Sequence, residues 1–189
     1  MILASGSPRR KELLKEAGVE FEVVASAAEE VHDVSMPLIE LCELNARLKA
    51  EAVASEHADA VVIGSDTLVF IDETPLGKPA DLEEARAMLR RLSGKKHVVC
   101  TAVCVMAQGG TKQVFHDCTQ VRFKALEEAD IEHYLGQVNP LDKAGAYGIQ
   151  EHGELIVEGI EGRFDTVMGL PVEPLLAVLR NWRADGPGE

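Results

Sequence analysis

No two of the four cysteines form a C-x-x-C pair, and none of the six histidines falls in an H-E-x-x-H or H-x-H spacing. The usual zinc frameworks are therefore missing. Cys42, Cys100, Cys104 and Cys118 sit in apolar segments, which reads as four buried, reduced thiols. Long hydrophobic runs are absent as well: the apolar stretches have strand length, too short to span a membrane. Met1 leads directly into a strand-like stretch with no basic region ahead of an apolar one, so a cytoplasmic location is expected. Cations are scarce, with 19 Lys and Arg against 32 Asp and Glu and a net charge of −13. Such a field repels nucleic acid and anionic membranes unless basic residues are gathered locally. There is neither a Walker A loop nor a G-x-G-x-x-G fingerprint, so the nucleotide folds those motifs mark are not indicated. Repeats, low-complexity tracts and linker-like segments are lacking too. The 189 residues, 46% of them hydrophobic, can bury one core of ordinary size. A single domain over residues 1–183, with a polar tail at 184–189, is the expected layout.

What the chain does contain is an alternation of strand and helix signals. Residues 2–5 read as a short strand leading through Gly6 into a helix, with Ser7 as N-cap, Pro8 at the first helical position and Gly18 as the stop. "FEVVAS" (21–26) reads as a second strand. Leu38, Leu41, Leu44, Leu48 and Val53 recur near helical spacing and predict a long helix over 38–57. "AVVIGSDTLVFI" (60–71) reads as a buried strand interrupted by Gly64, Ser65, Asp66 and Thr67. Asp81, with Glu84 three residues on, opens a helix that Gly94 stops. Residues 97–107 and 112–125 predict an antiparallel pair joined across "QGGT" (108–111). A short helix over 127–137, a turn-rich segment over 139–150, a strand-like "ELIVEGIEG" (154–162) and a closing helix over 169–182 complete the reading. The hairpin prevents a purely parallel count, and the expectation is an α/β domain with a mixed, twisted sheet flanked by helices.

Four features could carry chemistry. Arg9, Arg10 and Lys11 place three cations on the first turn of a helix, where the dipole is already positive and acidic residues are favoured. A Gly-containing turn entering a helix offers backbone N–H groups to an anion, and Arg and Lys can add to its grip on phosphate. The competing reading is three cations pointing into water. Asp66, with apolar flanks along a strand, is costly to bury unless a metal, a cation or a catalytic water pairs with it. A structural Asp bonded to nearby backbone N–H groups is the alternative there. Lys78 lies just past this strand and Lys49 on the helix before it, with Glu29 and Glu30 as an acidic pair. Magnesium takes one or two carboxylates plus substrate phosphates, so these residues suffice for a metal–triphosphate site, although each is equally readable as a solvated charge. In "DKAGAYGIQ" (142–150), Gly145 and Gly148 allow close backbone approach, and the Gln150 amide matches the imide edge of uracil or thymine. A glycine-rich connecting loop is the other reading.

Taken in order, "LASGSPRRKELL", the Glu29–Glu30 loop, "RLKA", "GSDTLV", "GKP", "LSGKKHVVCTAV", "PLDKAGAYGIQ" and "VMGLP" resemble the Maf family of nucleoside triphosphate pyrophosphatases over nearly the whole chain. More narrowly, the chain looks like the branch that hydrolyses dTTP and UTP. The sister branch acting on 7-methyl-GTP usually has an aromatic residue at the position of Arg9 and tends to differ at Thr67 and Gln150. The resemblance implies a mixed α/β fold with a deep substrate cleft, similar to inosine triphosphate pyrophosphatases. It also implies a divalent metal (Mg or Mn) and hydrolysis of a nucleoside triphosphate to the monophosphate and pyrophosphate. Carried onto this sequence, it implies Asp66 as catalytic base and Arg9, Thr67 and Gln150 as the residues that set base specificity. Ser7, Arg10, Lys49 and Lys78 would hold the triphosphate, and Glu30 the metal. The stretch "EEVHDVSM" is less acidic than the family pattern and keeps Glu29 as the other metal candidate. A homodimer is compatible with the resemblance. The rival readings are a pyrophosphatase for other non-standard nucleotides and a septum-related regulator binding a division partner. An exposed Arg9–Arg10 cluster would favour the latter.

Overall fold

The computed structural model describes residues 1–33, 35–72, 74–107 and 112–184. In chain order its elements are β1 (Ile2–Leu3), α1 (Pro8–Glu16), β2 (Glu22–Val23), α2 (Leu38–Ala54), β3 (Val62–Ile71), β4 (Thr74–Leu76), α3 (Leu82–Leu92), β5 (Lys96–Met106) and β6 (Lys112–Phe123). Then come α4 (Glu128–Leu135), a 3-10 turn (Ala144–Ala146), α5 (Gly153–Ile156), β7 (Val157–Glu161), α6 (Phe164–Met168) and α7 (Val172–Ala184). One mixed sheet runs β2-β1-β3-β5-β6-β7, with β4 paired onto the far end of β3. β1 is parallel to both β2 and β3, whereas β3, β5, β6 and β7 pair antiparallel in sequence. The expected α/β domain with a mixed sheet is what forms.

Side-chain alternation along the strands divides the interior. Val62, Ala102 and Cys104 face α2 and pack with its Cys42, Ala46 and Ala50. Ile63, Val103 and Val105 point to the other face, against Leu14 of α1 and Leu175 and Leu179 of α7. A third cluster, built on Leu89, Leu92, Phe123, Ile131 and Tyr134, lies under α3 and α4.

Several boundaries differ from the sequence reading. β3 is continuous through Gly64–Thr67, because β5 pairs with every residue from Val62 to Phe70 and leaves no room for a break. β1 and β2 are only two residues each. Residues 154–156 are helical, and strand pairing starts only at Val157, where a bulge between Arg122 and Phe123 shifts the register. The closing helix starts at Val172, and α6 ahead of it ends at Gly169. Ser7 has the extended backbone of an N-cap, but its hydroxyl makes no capping bond. Asp81 does cap α3, accepting from Glu84 N at 2.8 Å. Cys42, Cys100 and Cys104 are buried, whereas Cys118 is exposed, since it falls on the outward register of β6. Ala184, expected to open the polar tail at 184–189, still belongs to α7, and the "QGGT" turn and residues 185–189 lie outside the described residues.

Candidate active site

The cleft has a volume of about 870 Å³ and opens where the C-terminal side of β1, the middle of β3 and the 142–150 loop converge. Asp66 sits at its floor, 3% exposed, on the face of β3 that α2 covers. α2 approaches unusually closely because Gly64 has no side chain: a Cβ there would collide with the Ala46 carbonyl and lie 2.6 Å from Ala50 N. That close approach brings Lys49, next to Ala50, within 2.6 Å of Asp66 Oδ1. Lys49 Nζ also lies 2.7 Å from Glu30 Oε1, so one cation bridges two carboxylates. Burial alone would raise the Glu30 carboxyl, but the Lys49 hydrogen bond and the charges of Lys49, Lys78 and His32 outweigh it and hold the group below its ordinary value. Asp66 Oδ2 is buried and has no hydrogen-bond partner among the described residues.

The Glu30 loop is fixed from α2 as well. Asn45, one turn before Lys49 and 1% exposed, accepts from Val31 N at 2.8 Å and donates to the Val31 carbonyl at 3.0 Å. This two-way clamp fixes the residue beside Glu30. Of the two candidate glutamates, Glu30 lines the cleft and Glu29 does not.

Arg10 resolves the electrostatic oddity of the first helix by turning inward. Only 9% exposed, it donates to Gly169 O (2.8 Å), Ser5 Oγ (3.1 Å), Ser65 O (2.8 Å) and Thr67 Oγ1 (2.9 Å). Four of its five donors are thus committed to the protein, and one remains for the cleft. Burial lowers its pKa, with Asp66 opposing. Lys11 points to solvent. Ser7 lines the cleft at the α1 N-terminus, with a hydroxyl that does not cap the helix. Lys78 reaches the cleft from the loop after β4.

The side of the cleft formed by Arg9 and the 142–150 loop is polar and tightly tied. Arg9 lies 3.7 Å from Glu151 Oε1 and 4.0 Å from Asp142 Oδ2. Lys143, 3% exposed, donates to Asn139 O and Asp142 Oδ1, both at 2.7 Å, and lies 3.0 Å from Glu151 Oε2. Against the burial that would raise it, the Lys143 bond and the nearby cations hold the Asp142 carboxyl below its usual range. Gln150 Nε2 donates to Glu151 Oε1 at 3.4 Å, while its buried Oε1 has no partner among the described residues. Tyr147, which also lines the cleft, forms an edge-to-face trio with Phe123 and His97, its hydroxyl 2.7 Å from His97 Nε2.

Ser7, Arg9, Arg10, Glu30, Lys49, Asp66, Thr67, Lys78 and Gln150, scattered over 144 positions of sequence, all line this one cleft. Sequence reasoning missed Asn45, Thr101 and Lys143. A buried Asn in a leucine stripe and a Lys between Asp and a small-residue run were the available signals for the first and last.

A mixed α/β sheet carrying a cleft lined by Arg and Lys side chains and a buried carboxylate is an arrangement suited to a polyanionic ligand, and solved structures share the fold. The Ham1 protein of Staphylococcus aureus superimposes with a TM-score of 0.56 at 17% identity, covering 95% of this chain and 97% of its own. A HAM1 protein from Coxiella burnetii gives 0.52 at 14% identity, with 95% and 98% covered. The family described as Maf-like protein matches residues 1–182, and the chain belongs to that family. A dTTP/UTP pyrophosphatase of Akkermansia muciniphila is 51% identical over 179 residues, 95% of this chain and 94% of its own. One of Bacillus velezensis is 48% identical over 182 residues, 96% of each chain.

Proposed function

We propose that this chain is a nucleoside triphosphate pyrophosphatase that hydrolyses dTTP and UTP to the monophosphate and pyrophosphate, a housekeeping role in the nucleotide pool of the cytoplasm. One observation carries the chemistry: Asp66 Oδ2 is buried, without a partner among the described residues, in a cleft rimmed by Arg9, Arg10, Lys49 and Lys78. The substrate class is supported by the names of the relatives at 48–51% identity.

The donor set fits a hard divalent cation. Among the described residues no group of three or more His, Cys, Asp or Glu gathers into a cage. Magnesium fits such a site, since it binds through one or two carboxylates and completes its shell with phosphates and water. Glu30 would hold it, Lys49 occupying only Oε1. When bound, such an ion neutralises charge on the triphosphate. Asp66 Oδ2 takes a proton from a water whose oxygen bonds to the α-phosphorus, the bond from that phosphorus to the oxygen bridging it to the β-phosphorus breaks, and pyrophosphate leaves. Lys49 commits two of its three donors to Asp66 and Glu30 and keeps the third for a phosphate oxygen. Arg10, Lys78, Ser7 and the backbone N–H groups opening α1 add stabilisation as charge develops on the phosphates.

Arg9 and Arg10 border the cleft, Arg10 only 9% exposed, so they form no exposed basic patch for a division-linked partner. The catalytic reading is therefore the better supported one. Its test is a nucleotide panel with Mg²⁺ or Mn²⁺, scored separately for pyrophosphate and orthophosphate. Pyrophosphate released from dTTP and UTP is expected. Orthophosphate as first product would place cleavage at the γ-phosphate and overturn the reaction.

A further inference from the structure

Thr67 lines the cleft, half-buried, and the polarity of its hydroxyl is set from behind. Thr101, fully buried on β5, stands directly opposite it in the strand register. Thr101 Oγ1 donates to the Thr166 carbonyl at 2.7 Å. A hydroxyl has one proton. Thr101 therefore has none left for Thr67, and the 2.9 Å contact between the two hydroxyls is a donation from Thr67 to Thr101. From the other side Arg10 Nη2 donates to Thr67 Oγ1 at 2.9 Å. The chain runs one way, from the Arg10 guanidinium through Thr67 and Thr101 to a carbonyl of α6. Arginine cannot accept and a carbonyl cannot donate, so both ends lock the direction.

We infer that Thr101 is a positioning residue for base selection, holding the Thr67 proton away from the cleft so that Thr67 meets the nucleotide with a lone pair only. The inference rests on the reading of Thr67 as a residue that selects the base. Gln150 has the same polarity: its Nε2 is turned to Glu151, and its Oε1, without a partner among the described residues, is an acceptor. Gly169, at φ +110°, keeps the approach clear, since a Cβ there would lie 3.1 Å from Thr67 Oγ1. An acceptor that faces N3 of the base asks for a donor there. The imide N3–H of uracil and thymine is one, whereas N3 of cytosine sets a lone pair against lone pairs, a mismatch that polar sites reject.

The test is kcat/KM for UTP and CTP in Thr67→Val, Thr101→Val and Thr101→Ser. Thr101→Val keeps the side-chain shape but gives Thr67 no acceptor, so its proton can turn into the cleft. The preference for UTP over CTP is expected to fall about three- to tenfold, the scale of one neutral hydrogen bond. The change should appear mainly in KM, and Thr101→Ser should restore the preference. Equal losses on both nucleotides in Thr101→Val, with Thr67→Val altering the ratio, would overturn this inference alone. An unmoved ratio in Thr67→Val would overturn Thr67 as a base reader, and this inference with it. Should Thr101→Val not fold, Thr101→Cys, whose sulfur is a weak acceptor, is read in the same way.

Discussion

Lys49 Nζ lies 2.6 Å from Asp66 Oδ1, so the carboxylate at the cleft floor has one oxygen held and the other, also buried, without a partner among the described residues. This asymmetry makes Asp66 suited to orient and deprotonate a water. Asp66→Asn keeps the size and an oxygen for Lys49, while Glu30 still satisfies the ammonium. Turnover should drop by roughly 10²–10⁴, the usual contribution of a positioned general base. Circular dichroism and the thermal midpoint should show a folded protein. Near-normal turnover in that folded variant removes Asp66 from the role.

Gly64 makes the Lys49–Asp66 contact possible. Glycine within a strand is ordinarily a weakness that alanine would relieve. Here the added methyl would meet backbone of α2, 2.6 Å from Ala50 N, so helix and strand must separate. Gly64→Ala should therefore destabilise by about 1–3 kcal/mol, the range for overpacking, with activity falling as well because Lys49 is carried away from Asp66. Urea unfolding measures the first effect, and a stability gain would contradict the packing account.

Asn45 should control the metal requirement without touching substrate. Its clamp on Val31 holds the Glu30 loop against α2. Asn45→Ala leaves two backbone groups unpaired, at a cost of about 1–3 kcal/mol. Titrating activity against Mg²⁺ should give a higher half-saturation than in the parent. An unchanged titration would separate Glu30 from the metal.

Gln150→Ala should blur the preference for dTTP and UTP over purine triphosphates, because the unpartnered Oε1 is lost. Competing substrates assayed in one mixture report this directly. If their ranking is unchanged, Gln150 is not a base reader.

The residues that line the cleft were legible in sequence where chemistry alone made a residue costly, as with Asp66 between apolar flanks, and where ordered blocks matched a family. Orientation was not legible. Arg10 reads locally as a surface cation on a helix start, yet the fold turns it inward to Ser65 and Gly169, which lie 55 and 159 positions away. Lys143 is tied by residues of its own loop, and only that loop's folded shape buries it. Thr101 is an unremarkable strand threonine until β3 is laid beside it. The helix–strand switch at Ile156 and Val157 depends on a bulge in another strand, which local apolar pattern does not encode.

His97 supplies a pH dependence of stability. It is 2% exposed, and burial lowers its pKa from 6.5 to about 4. The unfolded chain therefore binds the proton more readily than the folded one, and the contribution is fully present above pH 6.5 and lost as pH falls toward 4. Between pH 7 and pH 5 this amounts to about 2 kcal/mol. Protonation would also place a charge beside Phe123 and Tyr147, with His97 Nδ1 lacking a partner among the described residues. His97→Gln retains an amide for the Tyr147 hydroxyl but does not titrate, so it should flatten the profile in this window. Urea unfolding of both proteins from pH 7 to pH 5 gives the comparison, and parallel curves would show that the acid sensitivity originates elsewhere.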